Sequence, residues 1–242
     1  MKAVILAGGT GTRLRPLTSV INKHLLPVGD RPMIGHALSK LREAGITDIL
    51  IVTGRSAVGL FTAYLGSGRD EGVSITYRVQ EEAGGIAQAL AVAEPFIGQD
   101  GKFVVLLGDN LFEEPLLPHL EAFAKQKSGA MVLLKAVGDP RRYGVPVFDR
   151  KGSRIMRIEE KPDRPQSAYC VTGIYMYDRT VFTRIRSVAP SRRGEMEITD
   201  VNNAYAAAGQ LAYRVLDGWW ADAGTFDSLH EASCKLRELR HE

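Results

Sequence analysis

The chain has 242 residues, of which 45% are hydrophobic and 24% are charged, and its formal net charge at pH 7 is +3. This length corresponds to one large or two small domains, and a chain of this size buries roughly three-quarters of its unfolded surface without disulfides. The small charge, carried by scattered basic residues, argues against nucleic acid or a membrane surface as a partner. The N-terminus lacks the basic and long apolar regions of a signal peptide, so we expect a cytoplasmic protein.

The two cysteines, Cys170 and Cys234, are far apart in the sequence, and neither has another cysteine nearby. Zinc ligands usually come as closely spaced pairs, and disulfides are typical of secreted chains. We therefore expect two reduced thiols, as in a cytosolic protein.

Strand-length apolar runs alternate with segments of helical periodicity up to residue 140. The predicted strands cover residues 3–7, 49–53, 73–79, 103–107 and 130–137, and the predicted helices cover residues 32–44, 85–96 and 116–127. Apolar residues in these helices recur at the spacing of one helix face. This alternation predicts an α/β fold in which helices cover both faces of a mostly parallel sheet.

Beyond residue 140 the pattern changes to shorter strands, predicted at residues 145–148, 154–159 and 169–177. Such short alternating runs predict a lobe of mixed sheet inserted into the α/β core. Helices are predicted again at residues 197–208 and 225–240. The sequence contains no linker rich in proline or serine and no internal repeat, so we expect the two halves to pack as one continuous domain.

A glycine-rich segment, LAGGTGTRLRP, follows the first predicted strand. Its three glycines let backbone N–H groups approach an anion without interference from a Cβ atom, and they are Gly8, Gly9 and Gly11. Arg13 and Arg15 add positive charge beside them. The pattern predicts a loop that binds the phosphates of a nucleotide, although the same glycines would also suit a simple turn from strand to helix.

The spacing of this loop differs from two common nucleotide-binding motifs. Leu14 stands where the dinucleotide fingerprint has its third glycine, and no Gly-Lys-Ser/Thr triplet follows, as it would in a Walker loop. The loop therefore predicts a nucleotide site of another kind.

Two aspartates follow strand-like runs at widely separated positions. Asp109 comes directly after the strand predicted at 103–107, and Asp222 follows the run 211–216 within the segment WWADAGT. Open α/β sheets bind ligands at the carboxyl ends of their strands, and Mg²⁺ is usually held by one or two carboxylates together with substrate phosphates. The pair predicts a Mg²⁺ site. Alternatively, Asp109 begins a turn or caps a helix, and Trp219 and Trp220 belong to the core.

Lys161 lies in the segment IEEKP, where a proline ends the predicted strand. A lysine in this position can meet a phosphate as a point charge. Taken alone, the segment is also compatible with an ordinary solvated strand end.

Nine segments occur in one order along the chain: LAGGTGTRLRP, NKHLLPVGDRPMI, VQEEAGGIAQAL, LLGDN, DPRRYGV, IEEKP, VTGIYMYD, SRRGEMEITD and WWADAGT. In this combination the chain resembles the sugar-1-phosphate nucleotidylyltransferases, specifically the glucose-1-phosphate thymidylyltransferases. The resemblance covers about residues 1–235. Because the chain ends at Glu242, where long members continue with helices that help to form an effector site, it resembles the short form.

The resemblance implies a Rossmann-like, mostly parallel mixed sheet with an inserted sugar-binding lobe. The nucleotide-binding core would span about residues 1–140 and 196–242, and the lobe about residues 141–195. The implied reaction transfers a thymidylyl group from dTTP to α-D-glucose 1-phosphate with Mg²⁺, giving dTDP-glucose and pyrophosphate. This is a step toward dTDP-L-rhamnose and other deoxysugars. The resemblance also implies a homo-oligomer, either a dimer or a tetramer.

Individual roles are carried over from the family by matching positions. The implied nucleotide contacts are Gly8, Gly9, Gly11, Thr12, Arg13, Gln80, Gly85 and Asp109, with Gln80 and Gly85 reading the thymine. The implied sugar-phosphate contacts are Gly144, Glu160, Lys161 and Val171. The implied metal ligands are Asp109 and Asp222, and the implied catalytic residues are Arg13, Lys23, Asp109, Lys161 and Asp222. Taken singly, Gln80, Gly85, Gly144 and Val171 also fit an exposed strand position, a helix start, a turn and the core.

The chemistry requires no protein base, because a sugar phosphate with a second pKa of about 6 is already largely ionised near neutral pH. Thymine and uracil present the same hydrogen-bonding edge, so a UTP-dependent enzyme or one that uses another hexose 1-phosphate stays open. A nucleotide-sugar sensor without turnover is a further alternative. A glycosyltransferase is disfavoured because Asp109 is followed by Asn110 and Leu111 and not by a D-x-D pair.

Overall fold

The computed structural model of the protein describes residues 1–99 and 101–239. Its strands are β1 (Lys2–Ala7), β2 (Pro27–Val28), β3 (Arg31–Pro32), β4 (Asp48–Gly54), β5 (Ser74–Gln80), β6 (Lys102–Leu107), β7 (Asn110–Phe112), β8 (Ala130–Ala136), β9 (Gly144–Phe148), β10 (Ile155–Glu160), β11 (Tyr169–Asp178), β12 (Leu211–Val215) and β13 (Trp220–Asp222). Its α-helices are α1 (Met33–Glu43), α2 (Val58–Leu65), α3 (Ile86–Ala91), α4 (Glu94–Ile97), α5 (Leu117–Lys125), α6 (Val181–Ile185), α7 (Ile198–Ala207) and α8 (Phe226–Glu238). Short 3₁₀ turns include Thr12–Leu14, Lys23–Leu25 and Pro140–Arg142.

Seven strands form the central sheet in the order β12, β8, β11, β6, β1, β4, β5. The pairs of β1 with β4, β1 with β6, β4 with β5, and β12 with β8 are parallel. Strand β11 runs antiparallel to both of its neighbours, β6 and β8. The prediction of a mostly parallel mixed sheet is thus confirmed.

The sheet is covered on both faces, as the alternation of strands and helices predicted. Along β1, Ile5 faces one apolar cluster and Val4 faces the other. Helices α1, α2 and α5 contribute to the first cluster, and α3, α6 and α7 contribute to the second. Fully burying one such aliphatic or aromatic side chain contributes about 1.5–3 kcal/mol, so both faces stabilise the sheet that carries the site.

One predicted helix, at residues 85–96, is wrong as a single element because it is divided into α3 and α4. Pro95 lies in the first turn of α4. Its ring clashes with the carbonyl of the residue four positions earlier, Ala91, and it lacks an N–H, so a continuous helix cannot pass through it. Helices α2 and α6 were not predicted, and the five residues of α6 are too few to show a helical period.

The last predicted helix, at residues 225–240, is present as α8, which ends at Glu238. The predicted end, Arg240, lies outside the described residues, as do residues 241 and 242 of the predicted core. Helix α8 packs Ala232 with Met33 and Leu111 in a third apolar cluster. The same cluster includes Leu111 of β7 and Ala221 of β13, so α8 packs against this short antiparallel pair of strands.

Strands β9 and β10 pair antiparallel outside the central sheet. Strand β11, which the sequence assigned to the same lobe, instead lies in the central sheet between β6 and β8. The lobe predicted at 141–195 therefore shares its longest strand with the core, and its boundaries stay a prediction.

The order of the strands reverses at β1. From β1 the chain proceeds to β4 and β5 on one side and later to β6 on the other. In open α/β sheets, ligands bind in the crevice beyond the carboxyl ends of the strands at such a reversal. The loops after β1 and β6 are therefore where a ligand site is expected.

Cys170 is buried and Cys234 is exposed, and both are free thiols, as predicted. Within residues 1–99 and 101–239, no helix is long and apolar enough to cross a membrane.

Candidate active site

A cleft of about 680 Å³ opens at the carboxyl edge of the sheet. It is lined by most of the site residues predicted from the sequence, namely Gly8, Gly9, Thr12, Arg13, Lys23, Gln80, Gly85, Asp109, Gly144, Glu160, Lys161, Val171 and Asp222. Gly11 and Arg15 are not among the lining residues of the described chain. The topology thus brings residues from widely separated segments to one site.

The glycine-rich loop follows β1 directly, as predicted. At Gly8 an added Cβ would lie only 2.6 Å from Gln80 Oε1, so this position tolerates no side chain while Gln80 stays where it is. Gly11 has a φ of 64°, and a Cβ there would approach Thr18 Cγ2 to 2.9 Å. Its contribution is therefore to the turn itself, and its role as a phosphate ligand stays a prediction.

Lys23 forms an ion pair with Asp109 in which the ammonium donates to Oδ2. Asn110 Nδ2 donates to the other oxygen, Oδ1, at 3.1 Å. Burial alone would raise the pKa of Asp109, but the positive charge of Lys23 and the hydrogen bonds from Lys23 and Asn110 hold it well below its usual range. Asp109 is therefore ionised at neutral pH.

Asn110 connects three elements of the site. Its Oδ1 accepts the backbone N–H of Gly173 at 2.7 Å and the indole Nε1–H of Trp220 at 2.9 Å. The Gly173 N–H is available because the pairing of β11 with β8 shifts register between Val171 and Tyr175. One buried amide thus links β11 and β13 to the carboxylate of Asp109.

His24 lies buried behind the glycine-rich loop. Its Nδ1 lies 2.7 Å from Asn22 Oδ1, and its ring lies against Gly108, where a Cβ would approach the ring to 2.8 Å. Burial and the neighbouring Lys23 charge lower the pKa of His24 to about 3. The ring is therefore neutral and acts as packing and as a hydrogen-bond donor to Asn22.

Asp222 ends β13 and not the run 211–216, so that detail of the sequence prediction is wrong. Strand β12 ends at Val215, and the chain then crosses to β13, which pairs antiparallel with β7 and sets Asp222 opposite Asn110. This pairing brings the second carboxylate next to Asp109. The backbone N–H of Ala223 also donates to the carbonyl of Asp109 at 3.0 Å.

The carboxylate of Asp222 is not satisfied by the protein. Its Oδ1 is buried and has no hydrogen-bond partner among the described residues. Burial, reinforced by the negative charge of Asp109, raises the pKa of Asp222 to about 6. Arg13 lies near it, since a Cβ on Gly224 would meet Asp222 Oδ1 at 2.8 Å and Arg13 Nη2 at 3.2 Å.

The unpartnered oxygen Oδ1 of Asp222 shows whether the site residues suit a divalent cation. A buried acceptor without a donor, beside a second carboxylate, fits a hard cation that prefers oxygen ligands. Within the described residues, no three His, Cys, Asp or Glu side chains gather into a metal-binding cluster. Asp109 and Asp222 therefore fit a divalent-cation site that substrate phosphates would complete.

At another part of the cleft, Gln80 is 7% exposed at the end of β5. Its Nε2 donates to the carbonyl of Gly85 at 3.3 Å and to Gln88 Oε1 at 2.8 Å. Gly85 has a φ of 99°, and a Cβ there would lie 2.6 Å from the carbonyl oxygen of Met196. The sequence reading of Gln80 as an exposed strand residue is thus excluded.

The lobe side of the cleft carries a charged group of residues. Gly144 lies opposite Glu160 in the pairing of β9 with β10. Glu160 Oε2 accepts the Thr199 hydroxyl at 2.6 Å, and Glu160 Oε1 lies 3.3 Å from Arg193 Nη2 and 3.4 Å from Lys161 Nζ. These groups offer hydrogen bonds suited to a polyhydroxylated ligand next to a cation suited to a phosphate.

Lys161 adopts a left-handed backbone conformation, with φ of 46°. Its N–H donates to the carbonyl of Tyr143 at 3.0 Å, which holds it there. A non-glycine residue with positive φ stores strain, and such strain clusters at functional sites. This supports the predicted importance of Lys161.

The sequence reasoning missed several cleft residues, namely Arg142, Tyr143, Tyr175, Arg193, Thr199 and Asn202. Except for Asn202, these residues lie in the segments DPRRYGV, VTGIYMYD and SRRGEMEITD, which carried the family resemblance. Their presence in these segments was a signal, but nothing local distinguished them from surface charges.

Known proteins resemble this chain over most of its length. The family model described as nucleotidyl transferase matches residues 2–238. The chain is 46% identical to the glucose-1-phosphate thymidylyltransferase of Neisseria meningitidis, over 100% of this chain and 84% of that protein. It is 44% identical to the glucose-1-phosphate thymidylyltransferase of Mycolicibacterium smegmatis, over 99% of this chain and 83% of that protein.

Solved structures show the same relationship. A Bacillus anthracis structure described as a glucose-1-phosphate thymidylyltransferase in complex with a sucrose matches with a TM-score of 0.93 and 54% identity, over 98% of this chain and 95% of that one. A UDP-glucose pyrophosphorylase in its apo form matches with a TM-score of 0.87 and 26% identity, over 99% of both chains.

The reversal of strand order, the glycine-rich loop and the paired carboxylates define a nucleotide-binding α/β protein, and the chain belongs to the nucleotidyl transferase family. It is thus a nucleotidyltransferase. Its relatives at 44% and 46% identity are glucose-1-phosphate thymidylyltransferases, which confirms the resemblance predicted from the sequence.

Proposed function

We propose that this protein transfers a thymidylyl group from dTTP to α-D-glucose 1-phosphate, giving dTDP-glucose and pyrophosphate. The observation that supports it most strongly is the convergence of Arg13, Lys23 and Lys161 with Asp109 and Asp222 on one cleft. The chain's similarity to glucose-1-phosphate thymidylyltransferases selects this substrate pair.

In this reaction a phosphate oxygen of the sugar phosphate attacks the α-phosphorus of dTTP, and the bond to pyrophosphate breaks. Both reactants are anions, so positioning and charge neutralisation dominate the barrier. We assign Arg13 and Lys23 to the triphosphate and Lys161 to the phosphate of the incoming sugar. Glu160 would orient the hexose through its hydroxyl groups.

No residue of the chain needs to remove a proton. The attacking phosphate has a second pKa of about 6 and is largely a dianion near neutral pH. His24, the buried imidazole in the cleft, is unsuited to the work of a base, because its pKa is lowered to about 3. Turnover is therefore expected to depend on cations and geometry.

We assign the cation to Asp109 and Asp222, and we propose that it is Mg²⁺. When bound, Mg²⁺ would neutralise charge on the phosphates and on the departing pyrophosphate. Asp222 supplies an acceptor without a donor of its own, and Asp109 is kept ionised by Lys23.

The test is pyrophosphate release from the purified protein with Mg²⁺, dTTP and glucose 1-phosphate. The panel includes UTP as the second nucleotide and galactose 1-phosphate as the second sugar. A methyl pocket discriminates thymine from uracil by only about 1–3 kcal/mol, so some UTP use is expected. We expect dTTP with glucose 1-phosphate to have the highest kcat/KM.

Two outcomes would overturn the proposal. Higher kcat/KM with UTP would favour a uridylyltransferase, to which the 26% identical UDP-glucose pyrophosphorylase is the structural parallel. Tight binding of dTTP or dTDP-glucose without any pyrophosphate release would favour a sensor.

We further propose that the protein acts in the cytoplasm as a homo-oligomer, either a dimer or a tetramer. The free thiols of Cys170 and Cys234 support a reducing compartment, and the family resemblance supports the assembly. Light scattering coupled to size-exclusion chromatography measures the assembly directly, and a monomer at micromolar concentration would contradict it.

A further inference from the structure

The hydrogen bonds around Gln80 form a short chain that begins and ends on the backbone. The N–H of Gly84 donates to Gln88 Oε1 at 2.9 Å. The same oxygen accepts Gln80 Nε2 at 2.8 Å, and Gln80 Nε2 also donates to the carbonyl of Gly85 at 3.3 Å. Both hydrogens of the Gln80 amide group are thus used.

The backbone groups determine the orientation of both side-chain amides. A backbone N–H only donates, so the Gln88 atom facing Gly84 must be its oxygen. The Gln80 atom that faces this oxygen and the Gly85 carbonyl must then be its nitrogen, because two acceptors in contact would repel. The oxygen of Gln80 is consequently the atom that remains for another partner.

Gln80 Oε1 lies beside the glycine-rich loop, where a Cβ on Gly8 would come within 2.6 Å of it. Both hydrogen bonds of the Gln80 side chain described above use Nε2 and not this oxygen. Gln80 lines the cleft, so its oxygen is an acceptor of known orientation next to the nucleotide loop.

We propose that Gln88 is a positioning residue that holds the Gln80 amide with its oxygen toward the base, and that it thereby makes the protein select bases with a ring N–H against cytosine. Thymine and uracil carry a hydrogen at N3 and can donate it to Gln80 Oε1. Cytosine has an unprotonated N3, so two acceptors would face each other. The inference rests on the proposed function, because it takes Gln80 to face the base.

Without Gln88, the Gln80 amide would keep only the longer bond to the Gly85 carbonyl. It could then rotate and offer its nitrogen to cytosine N3. A site that hydrogen-bonds a substrate rejects an analogue strongly only while its polar groups cannot rearrange. The preference for thymine over cytosine should therefore fall, while the preference between thymine and uracil, which share this edge, should not.

Three variants separate this role from general damage. Gln88→Met keeps the length of the side chain but removes the acceptor, whereas Gln88→Glu keeps an acceptor oxygen. Gly84→Ala keeps the glutamine at position 88 but displaces its side chain. The new Cβ of residue 84 would lie 2.4 Å from Gln88 Nε2 and 2.6 Å from Gln88 Oε1, so the amide must move. Circular dichroism and thermal unfolding verify that each variant is folded.

Two measurements are made on each protein. The first is kcat/KM for dTTP, dUTP and dCTP from pyrophosphate release, and the second is the dissociation constant of each nucleotide by calorimetry without sugar phosphate. We expect Gln88→Met and Gly84→Ala to lower the dTTP-to-dCTP ratio about tenfold, with the dTTP-to-dUTP ratio unchanged. Gln88→Glu should restore the wild-type ratio.

An unchanged dTTP-to-dCTP ratio in Gln88→Met would overturn the inference, as would a Gln88→Glu variant that behaves like Gln88→Met. If Gln88→Met does not fold, the ratio in Gly84→Ala decides in the same way. A wild-type protein that releases no pyrophosphate would refute the proposed function, whereas the binding ratios would still decide the role of Gln88.

Discussion

The turn after β6 and the end of β13 each bring one aspartate into the cleft, but the protein treats the two carboxylates in opposite ways. Asp109 receives hydrogen bonds from Lys23 and Asn110, and its pKa is held low by them. Asp222 has a buried oxygen without a partner in the described chain, and burial raises its pKa to about 6. Each oxygen of Asp109 thus accepts a hydrogen bond from the protein, whereas Oδ1 of Asp222 has no donor among the described residues.

This difference has a simple physical cause. The turn that carries Asp109 lies against the lysine of the 3₁₀ turn Lys23–Leu25, so its charge is compensated within the protein. The pairing of β13 with β7 places Asp222 beside Asp109. The ammonium of Lys23 is ion-paired with Asp109 and does not compensate the charge of Asp222 in the same way. A cation bound there would supply the missing compensation.

The largest expected effect is on turnover. We predict that Asp109→Ala and Asp222→Ala each lower kcat by about 100-fold or more, because each removes negative charge proposed to hold the cation. Initial rates of pyrophosphate release at saturating substrates measure this. Near-wild-type turnover in either variant would refute its assigned role as a metal ligand.

The next largest effect is expected at Lys161. We predict that Lys161→Ala lowers kcat/KM for glucose 1-phosphate by about 100-fold, since a charged hydrogen-bond partner of the phosphate is lost. The dissociation constant of dTTP should change much less, because we assign this lysine to the sugar phosphate.

Lys161→Arg is the matched control, as it keeps the positive charge at the same left-handed backbone position. It should retain more activity than Lys161→Ala. An equal loss of affinity for dTTP and for glucose 1-phosphate would contradict the assignment of Lys161 to the sugar phosphate alone.

Replacing each carboxylate with an amide tests the contrast between Asp109 and Asp222 directly. Without metal and at pH near 8, we predict that Asp222→Asn raises the free energy of unfolding by about 2 kcal/mol. The reason is that the folded-state pKa of about 6 lies above the unfolded value, so ionisation of Asp222 destabilises the native protein. Asp109→Asn should instead lower the free energy of unfolding by about 3 kcal/mol, because it leaves the mostly buried Lys23 without its charged partner.

The two carboxylates should also affect the pH dependence of the free energy of unfolding in opposite directions. The gain from Asp222→Asn should shrink as the pH falls from about 6 toward 4, where the wild-type carboxyl becomes protonated. The stabilisation contributed by Asp109 is present above the unfolded-state pKa and is lost only as the pH falls toward its lowered folded-state value. Urea denaturation in EDTA from pH 8 to pH 4 should show the gain from Asp222→Asn shrinking and the loss from Asp109→Asn persisting, and the same sign for both variants would contradict the contrast between the two carboxylates.

The smallest effect is expected from the hydrogen bond that joins Trp220 of β13 to Asn110, the neighbour of Asp109. Trp220→Phe removes the N–H that donates to Asn110 Oδ1 but keeps an aromatic ring beside Tyr143. Because Asn110 retains the bond from Gly173, we predict a loss of only about 1 kcal/mol in stability and a few-fold fall in kcat. No change in either quantity would show that the indole does not help to hold Asn110.

Much of the fold was predictable because its signals are local. The strand-to-helix alternation, the glycine-rich loop after β1 and the position of Asp109 after β6 all follow from periodicity and turn chemistry. The break at Pro95 was missed although its cause was visible in the sequence. The strand that carries Asp222 was misassigned because a three-residue strand has no period to detect.

The sequence by itself determined the alternating α/β pattern, the glycine-rich loop after the first strand and the family, since these depend on residue types and their order along the chain. Only the tertiary structure decided that both oxygens of Asp109 accept hydrogen bonds while Oδ1 of Asp222 has no partner in the described chain, and that Gln80 donates to Gln88. The reason is that burial, ion pairing and hydrogen-bond direction depend on which distant groups the fold brings into contact. In this protein, the pairing of β13 with β7 and the turn before α3 make those contacts.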